Sequence, residues 1–252
     1  MPFTFAHPTY AFPLKFISPR WFSVTGLVLG SMAPDFEYFF AMEPYRTIGH
    51  SFSGFVVQAI PLCILFAYLF HTLVKEPLVL HLPSGLNLNR RAYSLLFSWG
   101  LRTLRDWMVY IVSVSIGFLS HVVVDGFTHE GGFMVRNLAI LQAIVILDLP
   151  VYKILQYSLS MIGMMVLVGT IGLSLFRTVP YMKEVPIATN KQKLFYWGFA
   201  AMVAILVTGC KLLLSSSGNI IGMLVVSPIT SFCAGILLLY NNNIFNSNKF
   251  LL

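Results

Sequence analysis

A chain of 252 residues that is 57% hydrophobic, with only 10% Asp, Glu, Lys and Arg, has too few charges to cover a water-soluble core, since soluble domains carry about 25% charged residues. This is a membrane-protein composition. The formal charge of +7 is not read as nucleic-acid binding, because its meaning depends on where the charges lie, and no nucleic-acid partner is implied.

The opening MPFTFAHPTYAFPLKF has no basic stretch ahead of a continuous apolar run, so no cleavable signal peptide is expected. Residues 21–40, WFSVTGLVLGSMAPDFEYFF, are apolar but carry Pro34, Asp35 and Glu37. The uninterrupted part, 21–33, is too short to cross a hydrocarbon core at about 1.5 Å per residue. The segment is therefore either a span with a polar end or a surface or re-entrant helix.

Five segments read as spans: 51–73, 107–127, 154–176, 194–214 and 218–240. Pro61 and Pro228 lie inside two of them, tolerable where neighbours satisfy the freed carbonyls. The loop after the first span ends in LRTLRDW, which predicts a short amphipathic interfacial helix. NLAILQAIVILDLP at 137–150 predicts another short helix that stops before crossing. Cys63, Cys210 and Cys233 sit inside apolar runs without CxxC spacing and read as small buried hydrophobes. The tail NNNIFNSNKFLL reads as frayed. The expected fold is all-α: one polytopic membrane helical bundle over 1–252, with five clear spans plus one or two short re-entrant, interfacial or spanning helices.

If the five spans alternate, one side receives Lys75, Arg90, Arg91, Arg102, Arg105, Arg177, Lys183, Lys191, Lys193 and Lys249; the other receives Arg46, Arg136 and Lys153. The positive-inside rule makes the first side cytoplasmic, with the C-terminus.

The polar residues gather at the opposite face. In HVVVDGFTH, His121 and Asp125 are spaced i, i+4, which puts both on one helix face and suits a shared metal ion. Gly126 is expected to loosen or end the helix, letting His129 fold back through the THEGG turn. His50 opens the first span and HVVVD closes the next, so antiparallel spans place both on the extracytoplasmic side. Asp35, fifteen positions before His50, can reach it; His7 can do so only if 21–40 does not fully cross. The expected metal set is His7, Asp35, His50, His121, Asp125 and His129, an all-nitrogen-and-oxygen set suited to a divalent ion, zinc first and manganese or iron as alternatives. Glu37 and Glu130 are candidates for a general base, Arg46 and Arg136 for phosphate binding, and Gln156 and Tyr157 for lining the pocket. The structural alternatives are an HxxxD pair that merely ties two helices, and an Asp35 that caps the following helix. Ionisable groups at membrane depth are costly and often functional. His71 and His81 read as interfacial. GxSxG, Walker and HExxH motifs are absent.

FTFAHP at 3–8, GSMAPD at 30–35, GHS at 49–51, HVVVDGFTHEGG at 121–132 and VYKILQYS at 151–158 together resemble a bacterial membrane family, domain of unknown function 4184. The resemblance runs over nearly the whole chain and is strongest before residue 160. That family is distantly similar to the metal-dependent hydrolases of the bacterial inner membrane. Both are similar in motif layout to the all-helical zinc-dependent phospholipase C family. There an aspartate, a histidine and an HxxxD pair bind zinc, which implies Asp35, His50, His121 and Asp125 here; His7 and His129 match the family's flanking histidines. The phospholipases carry further ligands later in the chain, whereas here the part after residue 160 is nearly free of His and acids. Residues and resemblance together predict a membrane metal-dependent hydrolase of a lipid or amphiphilic phosphoester. The alternative is a non-enzymatic membrane protein whose His/Asp cluster holds a structural or transported metal ion.

Overall fold

In a computed structural model of the chain, residues 4–183, 185 and 188–241 are described; the tail with Lys249 lies outside them. The protein is all-α, apart from one two-stranded ribbon. Five helices are long and apolar enough to cross a membrane: Phe52–Leu80, Leu104–Asn137, Val151–Arg177, Asn190–Leu214 and Ile220–Tyr240. The first of these contains two π-helical stretches, Phe55–Ala59 and Phe70–Val74. The segment 21–40 is not among them. It folds as the helix Val24–Met32, a 3-10 turn Ala33–Asp35 and the helix Phe36–Ala41. The nine residues of Val24–Met32 extend about 14 Å, far short of a hydrocarbon core of about 30 Å.

The chain packs as two compact units. The first gathers the N-terminal segment through Phe36, Thr47–Ala67 and Gly100–Gly172. Its centre is the pairing of Val24–Met32 with Leu104–Thr128. Gly26 lies over Tyr110 and Ser113, Gly30 over Val114, and Gly117 against Leu27 and Ser31, so the two helices run in the same direction. A Cβ on Gly30 would come within 2.3 Å of the Val114 carbonyl oxygen, and one on Gly117 within 2.5 Å of the Leu27 carbonyl oxygen. Only glycine allows this approach. Tyr110 is fully buried and donates to the Cys63 carbonyl at 2.6 Å. Ahead of this pair, the short helix Pro8–Ala11 lies against the third span: Thr9 donates to the Gly163 carbonyl and Tyr10 to the Leu159 carbonyl.

The second unit comprises Glu37–Arg46, Tyr68–Trp99 and the chain from Leu173 onward. Asn190–Leu214 packs along Ile220–Asn241, with Gly235 against Ala200. Lys211, a cation inside a span, is paired with Glu43 at 3.0 Å. Arg91 donates to the carbonyls of Phe176, Thr178 and Leu86, and Arg90 to that of Tyr181. These guanidinium groups satisfy carbonyls at and beyond the end of the third span, where the helix leaves them without partners.

Three local expectations change. LRTLRDW does not form a helix of its own. Thr103 caps Leu104–Thr128 in a capping box with Asp106, so this segment starts the second span. The piece 137–150 forms one helical turn, Ala139–Gln142, followed by an antiparallel ribbon of Ile144–Ile146 with Leu149–Pro150. The β-branched run Ile144, Val145, Ile146 favours strand over helix, and Leu147 and Asp148 turn the chain with positive φ. Gly126 does not end its helix, which continues through Thr128.

Candidate metal centre

Each polar residue reaches the site for a local reason. Ser23 caps Val24–Met32, accepting from the Gly26 N–H, and its own N–H donates to the Ser113 hydroxyl. The glycine contacts then carry the C-terminal end of that helix along Leu104–Thr128 as far as His121. The 3-10 turn after it aims Asp35 at the same place. Ser51 caps the first span through the Gly54 N–H, leaving His50 just outside the helix. His121 and Asp125 lie one turn apart near the end of the second span, and His129 is its first non-helical residue. The chain between His7 and Asp35 leaves the site and returns to it, so His7 reaches the cluster.

The result is a convergence of imidazoles around two carboxylates. Asp125 Oδ2 lies 3.2 Å from His50 Nε2 and 3.4 Å from His121 Nε2. Asp125 Oδ1 lies 3.6 Å from His7 Nε2 and 3.4 Å from His129 Nδ1. Asp35 Oδ1 lies 3.6 Å from His50 Nε2 and 3.7 Å from His121 Nε2. The His7 ring stacks on that of His121 at 3.7 Å and 15°. His7, Asp35, His121 and Asp125 are all buried.

Hydrogen bonds orient the cluster from outside. His121 Nδ1 is 2.6 Å from the Ser31 carbonyl oxygen. A carbonyl only accepts, so Nδ1 carries a proton, and in the neutral ring Nε2 presents its lone pair inward. This is the arrangement by which a carbonyl orients a metal-binding histidine. Thr4 donates to Asp35 Oδ2 at 2.6 Å, leaving Oδ1 facing the imidazoles. Burial pushes the Asp35 carboxyl above its usual range, against the pull of His121 and Thr4. Burial and the stacked His121 hold His7 well below the usual imidazole range, so it is neutral with lone-pair capacity at pH 7.

His7 Nε2, His121 Nε2 and Asp125 Oδ1 are buried without a hydrogen-bond partner. Orphaned polar atoms of this kind are expensive. Two triads offer ligand atoms within 4.8 Å of one another: His7, His121 and Asp125, and Asp35, His50 and His121. Two atoms each about 2.0–2.2 Å from one tetrahedral ion lie roughly 3.3–3.6 Å apart, and most of the His–Asp separations here fall near that spacing. The residues therefore fit a divalent ion. The triads share His121, whose single inward nitrogen serves one ion.

The other expected residues divide. Gln156 is buried and joins the cluster's edge, with Nε2 3.4 Å from His129 Nε2. Glu130, Arg136 and Tyr157 are exposed, and among the described residues no hydrogen bond or ion pair joins them to the cluster. Glu37 is buried on Phe36–Ala41, and Arg46 is exposed; both belong to the second unit. Two contributors were not singled out from sequence. Lys153 holds Gln156 Oε1 at 2.7 Å, and Thr4 holds Asp35. Their only advance signal was short spacing, three residues before Gln156 and three before His7.

A family model described as Domain of unknown function (DUF4184) matches residues 1–240. No curated protein and no solved structure matches the chain. The family match takes in the short N-terminal helices, the histidine–aspartate cluster and all five candidate spans, and the protein belongs to the Domain of unknown function (DUF4184) family.

Proposed function

We propose that this chain, a single integral membrane domain, is a metal-dependent hydrolase of a lipid or other amphiphilic phosphoester, acting at the extracytoplasmic face of a bacterial inner membrane. The carrying observation is the set of buried ligand atoms without a hydrogen-bond partner: His7 Nε2, His121 Nε2 and Asp125 Oδ1. His7, Asp35, His50, His121 and Asp125 would hold the ion, zinc first by the chemistry of the donors, with manganese or iron as alternatives. Bound there, a divalent ion polarises a phosphoryl oxygen and lowers the pKa of water from about 15.7 to about 7. Glu37 and Glu130 are proposed to take up the proton released by the attacking water. Arg46 and Arg136 are proposed to bind phosphate charge, with Gln156 and Tyr157 contacting the rest of the substrate. The order of the histidine and aspartate motifs, which resembles that of inner-membrane hydrolases and zinc-dependent phospholipases, supports this reading.

Metal content of detergent-purified protein tests it first. Stoichiometric zinc or manganese in the wild type, lost in both His121→Ala and Asp125→Ala, is expected, followed by release of phosphate or headgroup from a panel of lipid phosphoesters. A folded, metal-free wild type would sink the proposal. A reporter fused after Lys249 should read cytoplasmic; the opposite signal inverts the proposed orientation. One observation favours a second reading. His7 and His121 are 0% exposed, as befits an ion that is structural or in transit. Stoichiometric metal without turnover on the whole panel would select it.

A further inference from the structure

His129 stands beside the cluster, but its two ring nitrogens are already committed. Lys153 Nζ lies 2.7 Å from Gln156 Oε1. An ammonium group only donates, which identifies that atom as the amide oxygen and leaves Gln156 Nε2, a donor, facing His129 Nε2 at 3.4 Å. His129 Nε2 must accept, so its lone pair is used and the ring proton sits on Nδ1. The opposite edge of the ring gives the same answer independently. Thr128 spends its hydroxyl proton on the Val124 carbonyl at 2.9 Å, so toward His129 Nδ1, at 3.3 Å, its oxygen can only accept. The proton on Nδ1 then goes to Thr128 Oγ1, and Asp125 Oδ1 lies 3.4 Å from the same nitrogen, near enough for charge–dipole attraction without a formal hydrogen bond.

We propose that His129 is a positioning residue and not a metal ligand: Lys153 and Gln156 fix its tautomer, and its Nδ1–H steadies the Asp125 carboxylate. This rests on the metal-binding reading of the cluster and corrects the ligand set that spacing alone suggests. The contrast with His121 is internal to the site. His121 gives its proton outward to the Ser31 carbonyl and turns a lone pair inward; His129 turns its proton toward Asp125 and its lone pair outward to Gln156. The line Lys153–Gln156–His129–Asp125 ties the start of the third span to the end of the second, and through it Lys153 acts on a carboxylate it does not touch.

The test compares wild type, His129→Ala, His129→Asn, His129→Gln and Gln156→Ala in detergent. The probes are zinc and cobalt(II), read by stoichiometry, by affinity against a chelator and by the cobalt visible spectrum. His129→Ala should keep the wild-type stoichiometry and cobalt band pattern while affinity falls about 10–100-fold, the usual effect of removing a partner that orients a ligand. Asparagine places an amide N–H where Nδ1 stands and should restore most of the affinity; glutamine, which places it where Nε2 stands, should not. Gln156→Ala should weaken binding in the same direction by less. In metal-stripped protein with 15N-labelled histidine, the resonances lost on His129→Ala should be those of a ring protonated at Nδ1. Loss of an ion or of a nitrogen ligand's spectral signature in His129→Ala, rescue by glutamine instead of asparagine, or a proton on Nε2 would overturn the assignment while leaving the metal-binding reading intact. A wild type that takes up neither metal overturns both.

Discussion

His121 in the first unit and His81 in the second begin alike. Both are almost wholly buried, at 0% and 3% exposure. Both approach a backbone carbonyl through Nδ1, that of Ser31 at 2.6 Å and that of Pro77 at 2.7 Å. Their surroundings then diverge. The His81 ring lies flat on Tyr196 at 4.3 Å and 14°, and its own carbonyl accepts from Trp197 Nε1 at 2.9 Å. His121 instead turns Nε2 toward two carboxylates, at 3.4 and 3.7 Å. A carbonyl-bound buried histidine is thus no mark of a metal site by itself. The mark is a set of acids and further imidazoles converging on its other nitrogen, with nothing else there to satisfy it. His71, stacked on Trp99 at 4.5 Å and 6° in the second unit, falls with His81.

The largest expected effect breaks this comparison directly. His81→Ala should leave metal content unchanged where His121→Ala abolishes it, while costing stability by about 1–3 kcal/mol through lost stacking and the lost side-chain hydrogen bond to the Pro77 carbonyl. Equal metal loss in both variants would mean that metal binding reports folding rather than ligation. The next contrast sharpens how the cluster is assembled. Gly30→Ala must push against the Val114 backbone and should destabilise by about 1–3 kcal/mol, seen as a lower melting temperature and weaker metal retention together. Gly126→Ala, two residues before the end of Leu104–Thr128 and facing open space, should stabilise by about 0.5–1 kcal/mol. In the second unit, Arg91→Lys should fail to replace the fork that reaches the Phe176, Thr178 and Leu86 carbonyls. A loss of about 1–2 kcal/mol is expected in thermal unfolding, with metal content untouched. Smallest is Thr103→Ala, which removes one half of a capping box and should cost about 1 kcal/mol, read by the same assay.

The long apolar runs were legible because a span of about 20 apolar residues has few other uses. His121 and Asp125 were legible because i, i+4 on a helix needs no tertiary information, and His50 because antiparallel neighbours return to the same side. Residues 137–150 were misread because a short apolar run has no decisive period, and its β-branched centre favoured a ribbon over a longer helix. The start of the second span was misread because the capping pair Thr103 and Asp106 lies inside a charged stretch that resembles an amphipathic surface. Thr4, Lys153 and the Ser31 carbonyl act through contacts between elements, and a backbone carbonyl carries no trace in the residue type.

Composition and periodicity by themselves determined that the chain lives in a membrane, which segments are long enough to cross it, and which acids and imidazoles stand near one end of two consecutive spans. Those are local properties, set by side-chain hydrophobicity and by the helical repeat. Whether residues 7 and 35 belong to one place was decided only by tertiary packing, because it depends on glycines at 26, 30 and 117 letting two backbones approach closely enough to carry a short helix beside a long one. The direction of the ring proton in His121 and His129 was decided there too, since a tautomer follows from the partner on the far side of the ring.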